Sequence, residues 1–160
     1  MRRALCLLTI MLAVVTAQAQ RGQDFASKFM LMHQNDTAVQ CVTVSPKMME
    51  QLLKSPAENR NGNIMQAIAK LKSARIVKAN QHSDDYYLKA ENLLKRNAQR
   101  FVFEKEFKNG PKHGSFYKRK NRKGDTVELI MLHEDVQTGQ LIIVNLTGNI
   151  DNEFISMLSL

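Results

Sequence analysis

Residues 126–147 constrain this chain most. From Thr126 to Glu134, the side chains of Val127, Leu129, Met131 and His133 point one way. Those of Glu128, Ile130, Leu132 and Glu134 point the other, so the middle of the strand is apolar on both faces. Such a strand needs hydrogen-bonding neighbours on both edges and cover on both faces, which places it inside a sheet. Gln140 to Thr147, entered through the Thr138-Gly139 turn, is its first partner. Two more strands lead into it, Arg100 to Phe107 and Gly114 to Lys120, through turns at Asn109-Gly110-Pro111 and Gly124-Asp125. In the first of these, Phe101, Phe103 and Phe107 read as one face, with Glu104 and Glu106 opposite.

Upstream, strands alternate with helices. Phe25, Phe29 and Met32 fall at helical spacing, and Val39 to Val44 is dense in β-branched residues. Ser45-Pro46 starts a helix with Met48, Met49, Leu52 and Leu53 on its apolar stripe, which Pro56 stops. A polar loop over residues 56–63 precedes a second apolar stripe of Ile64, Ala67, Ile68 and Leu71, and then a strand from Ser73 to Ala79. Ser83 is placed to cap a helix that carries Tyr86, Ala90, Leu93 and Leu94 inward, with Asp84 and Asp85 in its first turn. The pattern predicts an α+β fold. Its mixed sheet of about six strands ends in a four-stranded antiparallel meander, with helices mainly on one face.

Residues 1–19 read as a secretory leader rather than as part of the fold. Arg2 and Arg3 precede an apolar run from Ala4 to Val15, and Ala17-Gln18-Ala19 offers the small residues of a cleavage site. The run is too short for a spanning helix, which takes about 20 apolar residues. Residues 20–160 are then expected to form one α+β domain without a transmembrane segment, in the periplasm or outside the cell. Cleavage removes one of the two cysteines, Cys6. Cys41 is left on the face of Val39 and Thr43, as an inert thiol without an intramolecular partner. The nine methionines fall mostly at core spacing, as flexible filler.

The formal charge is +8, and it concentrates between Lys112 and Lys123, where no acidic residue intervenes. Lys112, Lys118, Arg119, Lys120, Arg122 and Lys123, with Tyr117 as the aromatic contact, form a field that attracts polyanions. The same lysines would also suit an edge hairpin that discourages sheet-to-sheet aggregation. The four histidines are scattered, without an i, i+4 zinc pair. His133 and Asp135 share a strand face, and His82 is followed by Asp84 and Asp85, but neither set makes a catalytic motif. No catalytic residue, metal ligand or cofactor is assigned.

A helix start at Ser45-Pro46, a tyrosine-bearing charged helix before an aromatic strand, the run Val127 to Leu132, and the closing Leu146-Thr147-Gly148-Asn149-Ile150-Asp151 form a further pattern. In these residues the chain resembles the small exported Bacteroidota proteins of the domain of unknown function 4252 family. The resemblance covers nearly all of residues 20–160 and is sharpest at the closing segment. It implies an envelope location and no established activity. Some members are lipoproteins; this chain departs from them in having no cysteine at the cleavage site.

Taken together, the expectation is a non-enzymatic exported protein that binds a protein partner or an anionic glycan or lipid surface through the basic hairpin. Export argues against nucleic acid, and the sequence leaves the oligomeric state open. Two alternatives stand beside it. One is a hydrolase or metal-dependent enzyme built on His133 and Asp135. The other is a structural assembly module that pairs through a sheet edge.

Overall fold

A computed structural model describes residues 23–54 and 62–157. Residues 1–22, which include the expected leader, and most of the polar loop that begins at Pro56 lie outside the described residues. In chain order the elements are α1 (Phe25–Met32), β1 (Val39–Val44), α2 (Pro46–Lys54), α3 (Gly62–Ala69), β2 (Leu71–Ala79), α4 (Ser83–Lys95), β3 (Val102–Asn109), β4 (Lys112–Lys120), β5 (Thr126–Asp135), β6 (Gln140–Ile150) and α5 (Asn152–Met157). The strands form one six-stranded sheet in the order β1-β2-β6-β5-β4-β3. The doubly apolar β5 lies between β6 and β4, as its sequence requires, and β3 to β6 form the expected meander.

Two features of the expected fold are corrected. The sheet is antiparallel at every pairing rather than mixed. The cause is the pair of helices between β1 and β2. One helical crossover would return the chain to start a parallel strand, whereas α2 and α3 together bring it back to the end it left, so β2 runs antiparallel beside β1. The second correction is that helices cover both faces. On one face α1 and α4 bury Phe25, Phe29, Tyr86 and Leu94 against Val77, Tyr117, Ile130, Leu132 and Ile143. On the other, Ala67 of α3 and Phe154 and Ile155 of α5 pack with Phe116, Leu129, Leu146 and Ile150. A sheet with Leu129 and Leu146 on its second face has no side that water can cover cheaply.

A bulge in β3 between Phe103 and Lys105 overturns the single aromatic face read from the sequence. The extra residue reverses the alternation. Phe103 meets Tyr117 at 5.6 Å between ring centroids on the α4 face, and Phe107 meets Phe116 at 5.8 Å on the other. At the far end of the chain β6 continues to Ile150. Gly148 there has φ +144°, and a Cβ on it would stand 2.6 Å from the Lys70 carbonyl oxygen. The Asn149 N–H donates to that same carbonyl at 3.1 Å. Asp151 then caps α5 by accepting from the Phe154 N–H at 2.8 Å, and Lys70 Nζ reaches its other oxygen at 2.9 Å. The family-like closing segment is thus a latch between β6 and the start of β2.

Candidate functional site

Strand alternation sorts the basic hairpin into separate groups. Tyr117 and Arg119 face α4 and α1, while Lys118 faces the opposite side. Tyr117 is 3% exposed and belongs to the core, so it is withdrawn as an aromatic surface contact; burial pushes its phenol pKa up. Lys118 forms an ion pair with Glu104 of the neighbouring strand. Arg119 donates its Nε–H to Glu128 at 2.6 Å. Lys112 is exposed at the other end of β4, eight residues and roughly 27 Å from Lys120. The continuous basic patch read from the sequence therefore reduces to Lys120, Arg122 and Lys123, all exposed in and beside the β4–β5 turn.

Asn121 builds that turn. Its side-chain oxygen accepts from the Lys123 N–H at 2.8 Å and the Asp125 N–H at 3.0 Å, and its amide nitrogen donates to the Asp125 carboxylate at 2.8 Å. Its backbone carbonyl takes the Gly124 N–H at 3.1 Å, and Gly124 supplies the positive φ of +92° that closes the turn. Asp125 is thereby held to Asn121, and the three cationic side chains project from a braced loop. Among the described residues their side-chain charges have no acidic partner within ion-pair distance. The sequence reading missed Asn121, although an asparagine three residues before a turn glycine is a recognisable signal.

Beneath the strand lies a buried polar lock. Glu128 is fully buried, and its Oε1 accepts from the Phe25 N–H at 2.7 Å and from Asn145 Nδ2 at 3.1 Å. The Asn145 side-chain oxygen Oδ1 takes the Ala26 N–H at 2.8 Å. Asp24 caps α1 through the Ser27 N–H at 2.8 Å and pairs with Arg75 at 3.0 Å. The first amides of α1 thus meet a carboxylate and an amide from the sheet, a favourable use of the positive end of a helix. This lock accounts for Arg119, whose charge is committed to structure.

A second polar cluster lies near the start of α4. Ser83 is not the cap read from the sequence; His82 occupies that position with φ 52°, and the buried Ser83 hydroxyl donates to Glu134 Oε1 at 2.7 Å. His113 Nε2 stands 3.3 Å from Glu134 Oε2, and Tyr87, with its ring 5.0 Å from that of His113, pairs its hydroxyl with Ser115 at 3.3 Å. A cleft of about 510 Å³ lined by Tyr87, Glu106, Phe107, Lys108, His113 and Gly114 opens beside them. The carboxylate sits between hydroxyl and imidazole, so Ser83 hydrogen-bonds to Glu134 and not to His113, an order of groups different from that of a Ser-His-Asp triad. The sequence signal was present: Glu134 shares its strand face with Ile130 and Leu132, which marks it as inward.

The structure does not join His133 to Asp135. The His133 ring packs edge-on to Phe107 at 5.7 Å, while Asp135 accepts from the Gln137 and Thr138 N–H groups in the β5–β6 turn. Among the described residues no three His, Cys, Asp or Glu side chains converge as a metal site. No described helix is long and apolar enough to cross a membrane. Burial raises the Cys41 thiol pKa, in keeping with an unreactive cysteine.

Among solved structures the chain is similar to a protein of unknown function, PA94, from Pseudomonas aeruginosa. The identity is 12% and the TM-score 0.33, over 78% of this chain and 76% of that one. It is also similar to the Ran-binding protein Mog1p of Saccharomyces cerevisiae, at 15% identity and a TM-score of 0.31, over 66% of this chain and 62% of that one. Likenesses this distant carry nothing about activity. No curated protein matches. The family described as "Domain of unknown function (DUF4252)" matches residues 29–158, and the chain belongs to that family.

Proposed function

We propose that this chain is an exported, non-enzymatic binding module whose β4–β5 turn holds an anionic envelope surface. The observation that carries the reading is the position of β4. It is an interior strand, flanked by β3 and β5, so the basic residues at its end guard no sheet edge. Lys120, Arg122 and Lys123 stand exposed on a turn that Asn121 braces. Three such charges near an anionic bilayer contribute about 1 kcal/mol each. The leader-like pattern read in residues 1–19 supports the address.

Co-sedimentation with vesicles tests this. Vesicles rich in phosphatidylglycerol should retain the protein at low salt and release it as ionic strength rises, while neutral phosphatidylcholine vesicles should not retain it. Equal retention by both lipids, or retention indifferent to salt, would overturn the reading.

A further inference from the structure

We infer that β1 is a pairing edge for a second copy of this chain, so that two sheets join into one across a twofold axis. The two edges of the sheet differ. The β3 edge is guarded by Glu104, Lys105, Glu106 and Lys108 and by its bulge. Val39–Val44 at the other edge has the sequence Val-Gln-Cys-Val-Thr-Val, without charge, proline or a break in its register with β2. An uncharged, β-branched edge of this kind is a template for another strand. Among the described residues no strand occupies its outer side.

Exposed apolar side chains flank β1 along the chain. Leu31 and Met32 end the helix that precedes β1, Met48 lies in the first turn of the helix that follows it, and Val42 is on the strand itself. Each is about half exposed, at 57%, 56%, 45% and 54%. In an antiparallel pairing about an axis perpendicular to the sheet, each face continues as the same face in the partner. Leu31 and Met32 belong to the helix that packs over β2 and β6, on the α1 face. Val42 would be covered by its counterpart on the opposite face.

Charge selects this edge for a self-association. Each copy carries a formal +8 over the full sequence, and +6 (21 basic less 15 acidic residues) without the expected leader. Given the strand order and the twofold, pairing through β1 sets the two basic turns at opposite strand ends and eight to nine strand spacings, roughly 40 Å, apart across the sheet, well beyond the screening length, so they do not oppose it. A strand that carries no charge pairs with itself without placing like charges opposite each other. The inference stands whether or not the basic turn binds a membrane.

Sedimentation equilibrium with hydrogen exchange decides it. The protein should form a dimer below about 100 μM, and amides within residues 39–44 should gain protection as concentration rises. Gln40→Lys with Val42→Lys should weaken the dimer at least tenfold while the circular dichroism spectrum is unchanged; Phe103→Lys on the other edge should leave it intact. A monomer at about 100 μM would overturn the inference. So would a dimer that shows no change in exchange at residues 39–44, or one that survives the β1 variant and is lost with Phe103→Lys.

Discussion

Arg119 delivers its Nε–H to Glu128 at 2.6 Å across the β4–β5 register, and the carboxylate it meets is fully buried. That single contact separates the charge that holds the fold together from the charge available for binding. A buried carboxylate is tolerated because Arg119, Asn145 and the first amide of α1 all donate to it.

Removing one partner leaves that carboxylate short of compensation. Arg119→Gln is expected to lower stability by about 3 kcal/mol in urea unfolding, since breaking a buried pair costs far more than a surface one. A loss below about 0.5 kcal/mol would mean that the lock is ornamental to the fold.

Gly148→Ala should destabilise by about 3 kcal/mol, through both the positive φ and the collision with the Lys70 carbonyl. Asp151→Ala, which removes only the cap of α5 and one exposed ion pair, should cost about 1 kcal/mol. The two melting curves, compared side by side, check the order of effects.

The pH dependence has an acidic and an alkaline part. The Tyr86 hydroxyl and the Ala38 N–H hold the Asp36 carboxyl below its ordinary value, and Lys70 with the Phe154 N–H does the same for Asp151. Each contributes stability that is present above the unfolded carboxylate value of 3.8 and is lost as pH falls through the lower folded value. The bond to Asp36, then burial, pushes the Tyr86 phenol from 10.0 up to about 12. Its contribution is complete below pH 10 and disappears as pH rises toward 12. Tyr86→Phe should flatten this alkaline decline in thermal melts between those two values; an unchanged profile would contradict the assignment.

Asn121→Ala should loosen the turn without removing charge. A stability loss of about 1 kcal/mol is expected, with faster amide exchange at Lys123 and Asp125, whose N–H groups it holds.

Much of the fold was legible because local pattern and tertiary position agree. The two apolar faces of β5 placed it inside the sheet, and the spacing of Tyr86, Ala90 and Leu94 set the buried face of α4. What was not legible depends on partners distant in sequence. The Phe103 bulge breaks an alternation that period-two reading takes as continuous, and the direction of β2 depends on two helices acting together. At the candidate site, local density of lysine and arginine could be read, but not that Glu104 and Glu128 would claim Lys118 and Arg119. Tyr117 shares a strand face with Ser115 and Arg119, a row whose polar neighbours disguise its burial.

The most direct test compares two variants on phosphatidylglycerol vesicles at low salt. Lys120→Gln, Arg122→Gln and Lys123→Gln together should reduce binding about 100-fold and leave the melting temperature nearly unchanged. Arg119→Gln should lower the melting temperature and, below it, leave binding within about threefold of the parent. If the triple variant binds as the parent does while Arg119→Gln does not, the turn is not the binding surface and the division of charge described for β4 is wrong.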